Sequence, residues 1–196
     1  MEQNERGRME QSVPTEAVER AAKGDAAALA ELYQRFHPRI LRLCRYLLNV
    51  PEEAEDAASE VFARLPKAMA TYDFTQDFPR WLMAVASNHC LDLLRRRRVG
   101  QRIFEPVDDS AEFPSSDGSA LEKVLENERA DRVRAALSRL HERLRAPLVL
   151  RYYNDLSYDE IAAQLQLTRA NVAVLIFRAK QELRRTLAAP GPEKIP

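Results

Sequence analysis

Apolar residues recur at helical spacing along most of the chain, and the elements they predict are all helices. Thr15 followed by Glu16 marks a helix start. Gly24-Asp25 reads as a C-terminal glycine followed directly by the cap of the next helix. The dozen residues before this start read as a loose tail. From Ala26 onward, Leu29, Leu32, Tyr33, Phe36, Ile40, Leu43, Cys44 and Leu47 form one apolar face, and Pro38 is placed where a helix breaks and restarts. The expectation there is a helical pair facing a core. Pro51 suits the first turn of the following helix, and Glu52, Glu53, Glu55 and Asp56 put negative charge where the helix dipole favours it. That helix is expected to run to about Pro66, because proline lacks an N–H and clashes with the preceding turn.

The stretch ATYDFTQDFP then reads as a loop. It leads into the helix RWLMAVASNHCLDLLRRRR, whose apolar positions Trp81, Leu82, Val85, Cys90, Leu91 and Leu94 precede a cationic end that the helix dipole partly explains. From Gln101 to Asp117 the periodic apolar pattern is lost, and Glu105, Asp108, Asp109, Glu112 and Asp117 stand among prolines and serines, the composition of an acidic linker. Helices resume with Leu121, Val124, Leu125, Val133, Leu137 and Leu140, and one started by Pro147 holds Leu148, Val149, Leu150 and Tyr153. The fold class is all-α: two small helical domains over 15–100 and 121–189, joined by a flexible acidic strap over 101–120.

Composition narrows the class without naming a partner. Apolar residues at 45%, charged residues at 31% and only 5 glycines describe a charge-decorated helical protein, not a disordered or membrane-spanning one. The opening MEQNERGRMEQSV has no apolar h-region and no run approaches the ~18 apolar residues of a membrane span, so a cytoplasmic protein without membrane insertion is expected. With a formal net charge of +0, only the distribution of charge can argue for a nucleic-acid partner. Cys44 and Cys90 sit in apolar surroundings without C-x-x-C spacing and read as buried free thiols of a reducing compartment. His37, His89 and His141 could join them in metal or nucleophilic chemistry. His89 and Cys90, however, are adjacent on a helix and point in different directions. No H-x-x-x-H, C-x-x-C or glycine-rich phosphate loop appears, so neither catalysis nor a cofactor is expected.

The densest chemistry lies in LSYDEIAAQLQLTRANVAVLIFRAKQELRR. Ser157 and Glu160 have capping-box spacing, Ile161 and Leu165 give the first helix a buried side, Leu167-Thr168 is a turn, and Thr168 caps a longer helix. This is the pattern of a helix-turn-helix, whose second helix enters the major groove of DNA. Arg178, Lys180, Arg184 and Arg185 follow the turn, and Arg95, Arg96, Arg97, Arg98 and Arg102 form a second basic cluster. Two basic ends separated by an acidic strap fit phosphate contacts at two places.

Three stretches, AEDAASEVFARL, FPRWLMAVASNHCLDLLRRRR and the helix-turn-helix above, occur in an order and spacing that resemble the extracytoplasmic-function (ECF) class of bacterial RNA polymerase sigma factors, over about Thr15 to Leu187. The resemblance implies the second and fourth sigma domains, with core RNA polymerase, promoter DNA and an anti-sigma factor as partners. It implies that Asp56, Glu60 and Phe62 dock on the coiled coil of the polymerase's largest subunit. It also implies that the loop Thr71 to Pro79 and the helix Arg80 to Arg98 open and read the −10 element. Asn88 stands at the position that helps capture a flipped base, and Arg80, Arg95, Arg96 and Arg97 contact DNA around it. The acidic linker would thread through polymerase toward the RNA path. Physical requirements agree: an unpaired base needs a polar side chain for its edge and an apolar surface for its face. Asn88 with some of Tyr72, Phe74, Phe78 and Trp81 could supply both. Trp81 itself reads first as a core residue, because Leu82 and Val85 share its face.

By the same resemblance the last helix reads the −35 element through Arg169, Asn171, Ala173, Val174, Phe177, Arg178 and Lys180. Val172, Ile176, Ala179 and Leu183 form one stripe that packs on the first helix of the motif. Ala173, Val174 and Leu175 fall outside it and depart from the polar residues usual in the family. Three readings stand at this point: contact with thymine methyl groups, a sticky surface for a protein partner, or fuller cover by neighbouring helices. Pro66 is a second departure, at a place where the family has an aromatic residue.

Overall fold

The computed structural model describes residues 15–97 and 130–188, and these form eight helices and no strand. They are α1 (Thr15–Ala22), α2 (Ala26–Leu48), α3 (Pro51–Met69), α4 (Phe78–Arg97), α5 (Ala130–Arg139), α6 (Glu142–Tyr152), α7 (Tyr158–Leu165) and α8 (Arg169–Ala188). The expected N-terminal tail, the strap over 101–120, the apolar positions Leu121, Val124 and Leu125, and Arg98 and Arg102 lie outside the described residues. The chain divides into two compact units that part between Cys90 and Leu91, inside α4.

In the first unit α1 hands over to α2 at Gly24, whose φ of +87° only glycine adopts without strain. Asp25 then caps α2, its Oδ1 accepting from the N–H of Ala27 at 2.9 Å and of Ala28 at 3.1 Å. The Arg20 guanidinium, bonded to Oδ2 at 2.8 Å, is the first cause holding the Asp25 carboxyl below the usual carboxylate range, ahead of those backbone donors. α2 packs on α1 and α3. The expected break at Pro38 does not occur: α2 is one helix of 23 residues. Pro38 is exposed, so its ring points away from the buried stripe Leu32, Phe36, Ile40, Leu43 and Leu47. The missing N–H costs one helical bond, and burial of that stripe on both sides of it outweighs the loss.

Pro66 likewise fails to end its helix. α3 continues to Met69, because Leu65 and Met69, both at least 98% buried, anchor the last turn while Pro66 faces outward. α4 begins two residues earlier than the sequence suggests, at Phe78. Asp77 caps it by accepting the N–H of Arg80 at 3.2 Å, which places Pro79 in the first turn where its missing N–H costs nothing.

In the second unit Pro147 lies inside α6 instead of starting it. The start is capped by His141, whose Nδ1 accepts from the N–H of Arg143 at 3.2 Å. Arg145 is buried at 3% exposure and donates to the Leu140 carbonyl at 3.1 Å; burial lowers its pKa. α7 carries the expected capping box, with Glu160 N–H donating to Ser157 Oγ at 3.3 Å and Ser157 N–H to Glu160 Oε2 at 2.8 Å. Gln166, left-handed at φ 58°, closes α7 and starts the turn. α8 packs against α5, α6 and α7 around a core that includes Leu150, Ile161, Leu165, Val172 and Ile176. Among the described residues no helix is long and apolar enough to cross a membrane.

Candidate functional site

Helical geometry sorts the three residues expected to face polymerase. Asp56 and Glu60, one turn apart, share the outward side of α3; Asp56 is exposed and Glu60 half-buried. Phe62 turns to another side, where its ring meets Tyr33 of α2 edge-on at 4.8 Å and His37 at 6.0 Å. Tyr33 stacks on His37 at 4.6 Å and is 42% exposed, so the three rings form a partly open aromatic patch. The Glu60 carboxylate is shared. Arg64 pairs with Oε1 from the same helix, and His89 of α4 brings Nε2 to 3.1 Å from Oε2.

His89 therefore faces inward, and its neighbour Asn88 outward. Trp81, Asn88 and Arg95 follow one another along one side of α4 at seven-residue spacing, and Arg80 stands beside Trp81 in the first turn. Arg80 and Asn88 are exposed, and Arg95 is half-buried with Nη1 at 2.7 Å from Asp92. Arg96 and Arg97 are exposed on the adjoining sides of the last turn. Trp81 is not the plain core residue expected. It is half-buried, and its ring lies 4.7 Å from Tyr72 and 5.7 Å from Phe78. Beyond Tyr72, Phe74 continues the cluster edge-on at 5.1 Å and is 42% exposed.

The loop that carries these rings is ordered by its own polar groups. Asp73 Oδ1 accepts from the N–H of Thr75 at 3.0 Å and from its hydroxyl at 2.8 Å, and these bonds lower the Asp73 pKa. Tyr72 Oη donates to the Gln76 carbonyl at 2.5 Å, and burial raises the Tyr72 pKa. Side chains that bond within a turn pre-set its shape, so Phe74 is presented without further ordering cost.

In the helix-turn-helix, Arg169 is exposed and its Nη1 pairs with Asp159 Oδ2 of α7 at 2.8 Å, bridging the two helices. Ala173 and Phe177 are half-buried and Arg178 is exposed. Three expected readers are corrected. Asn171 is 2% exposed and spends its amide on the turn, Nδ2 donating to Thr168 Oγ1 at 2.7 Å. Val174 is 3% exposed, and Lys180 is 4% exposed with Nζ 5.1 Å above the Tyr152 ring, a cation–π contact in place of a phosphate-facing amine. Leu175, at 1%, is covered as well. The apolar excess of ANVAVLIFRAK is therefore mostly interior, because α8 is enclosed by three helices and not by one.

Sequence reasoning missed the Asp77 cap, the Tyr33 and His37 rings beside Phe62, and the approach of His89 to Glu60. The D-F-P stretch at positions 77–79 was a legible cap signal, whereas the other two depend on which helices become neighbours. Among the described residues no group of three or more His, Cys, Asp or Glu is arranged to hold a metal ion.

Sigma-70 region 2 matches residues 32–99, from within α2 through α4, and Sigma-70 region 4 matches residues 130–183, from α5 into α8. The ECF RNA polymerase sigma factor ShbA of Streptomyces griseus is 33% identical over 175 residues, covering 85% of this chain and 91% of that protein. The RNA polymerase sigma-H factor of Pseudomonas aeruginosa is 30% identical over 177 residues, 87% and 91% of the two chains. A solved structure of CnrH in complex with the cytosolic domain of CnrY shares the fold, with a TM-score of 0.55 and 22% identity over 88% of this chain and 96% of that one. Both halves of the pattern, in order and on the units that carry the aromatic loop and the helix-turn-helix, place the chain in the ECF family of RNA polymerase sigma factors, which direct promoter-specific transcription initiation.

Proposed function

We propose that the first unit binds core RNA polymerase through the outward side of α3 and captures a −10 base on α4, while the second unit reads the −35 element with α8. The observation that carries the reading is Asn88. It is exposed on the same side of α4 as Trp81, whose half-buried ring is braced by Tyr72 and Phe78. A polar edge reader beside an aromatic face is what holding an unstacked base requires. Arg80, Arg95, Arg96 and Arg97 supply cations along and below that side, suited to flanking phosphates.

Asp56 and Glu60 offer polymerase a carboxylate face, and Phe62 offers an apolar one shared with Tyr33 and His37. At the −35 element the accessible set on α8 is Arg169, Ala173, Phe177 and Arg178. Ala173 and Phe177 suit thymine methyl groups, Arg178 a phosphate, and Arg169 a base edge or phosphate once it leaves Asp159. Asn171, Val174 and Lys180 act behind them by shaping the helix. Two weak DNA contacts held at fixed separation by polymerase give each a high effective concentration for the other.

An anti-sigma protein is the further partner of this reading, supported by the structural likeness to CnrH, which was solved with the cytosolic domain of CnrY. Work on polymerase and promoter places the protein in the cytoplasm, where no catalytic step of its own is required. In vitro transcription with purified protein and bacterial core polymerase over a promoter library tests the reading. Transcripts sharing two spaced elements are expected; binding to core polymerase with no template transcribed would leave a protein-binding decoy.

A further inference from the structure

Cys44 and Cys90 are the only cysteines of the chain, and both belong to the first unit. Cys44 lies near the C-terminal end of α2 and Cys90 in the later half of α4, both at 0% exposure. The Cys90 thiol donates to Cys44 Sγ at 3.4 Å. Neither side chain is used by the polymerase or promoter contacts, and two thiols in van der Waals contact across a helix pair are one bond away from a cross-link. The S–S bond is about 2.05 Å long, so closing it from 3.4 Å requires the sulfurs to approach by little more than an ångström.

We infer that Cys44 and Cys90 are a reversible oxidation site, closed to an intramolecular disulfide by hydrogen peroxide. In the resting protein the pair is protected: the bond to Cys44 and then burial push the Cys90 thiol up, so the nucleophilic thiolate is scarce. Reaction accordingly follows local opening of the α2–α4 contact. One sulfur attacks a peroxide oxygen, the O–O bond breaks, water leaves, and a sulfenic acid remains. The second thiol attacks the sulfenyl sulfur, the S–S bond forms, the S–O bond breaks, and a second water departs with the thiol proton. Two thiols thereby lose two electrons and two protons to one peroxide, which becomes two waters. Reclosing of the contact returns the second thiol to within 3.4 Å of the first, and this condensation outruns further oxidation. The link joins residues 46 apart and staples the helix bearing Asn88 to α2.

The experiment uses the full chain, freed of reductant and treated with hydrogen peroxide with and without a sub-denaturing urea concentration. Its readouts are intact mass and alkylation under denaturing, non-reducing conditions. The expected product is a monomer lighter by two hydrogens that takes no alkylating reagent, forms faster in urea, unfolds at higher temperature, and reverts with dithiothreitol. Added oxygen atoms on sulfur, disulfide-linked dimers, or two alkylatable thiols after prolonged treatment would each overturn the inference. Cys44→Ala and Cys90→Ala proteins should give the oxygen adducts that the wild type avoids. If neither variant folds, the wild-type mass and its reversal decide alone.

Discussion

His89 Nε2 is buried and lies 3.1 Å from Glu60 Oε2 without forming a hydrogen bond, so α4 meets α3 there by close approach. The contact joins a residue beside Asn88 to a residue that Arg64 also holds. Removing His89 loosens this contact, and removing Glu60 loosens the same contact together with the Arg64 pair, so the two effects should not add. In a double-mutant cycle of His89→Gln and Glu60→Gln, read by urea unfolding, a coupling of about 0.5 kcal/mol is expected for a pair whose carboxylate is 41% exposed. Strict additivity would show that the approach is incidental.

Asn88→Ala should reduce promoter opening by an order of magnitude or so, in keeping with the ~1–3 kcal/mol of one specific base contact, while leaving affinity for core polymerase unchanged. Glu60→Arg should do the reverse by placing a cation on the carboxylate face of α3. Permanganate footprinting and a polymerase-binding assay separate the two, and equal loss of both functions in Asn88→Ala would remove its assigned role.

Asp25 provides a pH test of the fold. Its folded pKa is depressed, chiefly by Arg20 and then by the N–H groups of Ala28 and Ala27, so its stabilisation is present above the unfolded carboxylate pKa and is lost as pH falls through the lower, folded value. Asp25→Ala should lower the melting temperature at neutral pH, and the difference from wild type should shrink steadily in acid. A difference that stays constant down to the acid limit would mean that the carboxylate charge plays no part in the cap.

Those caps and stripes were legible in the sequence because each depends on residues within a turn of one another. Gly24-Asp25, the Ser157–Glu160 box and the stripe from Leu32 to Leu47 all stand where spacing alone puts them. The three interior prolines were misread for a single reason. A local rule prices the lost N–H of Pro38, Pro66 or Pro147 but not the burial of Phe36 and Ile40, of Leu65 and Met69, or of Leu148 and Leu150 around them. The site divides in the same way. Asn88 and Arg178 are exposed by helical phase, whereas the fates of Val174 and Lys180 depend on how many helices surround α8, which no spacing in the chain records.

Salt dependence distinguishes the two cations that share the end of ANVAVLIFRAK. If Arg178 holds a phosphate, Arg178→Ala should weaken holoenzyme binding to the −35 region and lower the slope of log affinity against log salt by about 0.9. Lys180→Met keeps an apolar stem against Tyr152 and should leave the slope unchanged. A drop in slope on Lys180→Met would show that this amine leaves its burial to reach DNA.

Leu175 and Phe177 test what the apolar residues of α8 are for. Leu175 is 1% exposed, so Leu175→Ala opens a cavity and should cost about 2–5 kcal/mol of stability in the second unit, with promoter binding lost in proportion to unfolding. Phe177 is half-buried and lies one turn from Ala173 on the side that Arg184 continues. Phe177→Ala should therefore cost less stability but should change which base is preferred at one −35 position, since an apolar contact with a thymine methyl is lost there while phosphate contacts remain. Unfolding curves read alongside binding to a set of −35 variants separate the outcomes. Altered preference with a near-native melting temperature assigns methyl readout to Phe177. Equal weakening on every variant, matched by destabilisation, returns the residue to the core and leaves base selection to Arg169 and Ala173.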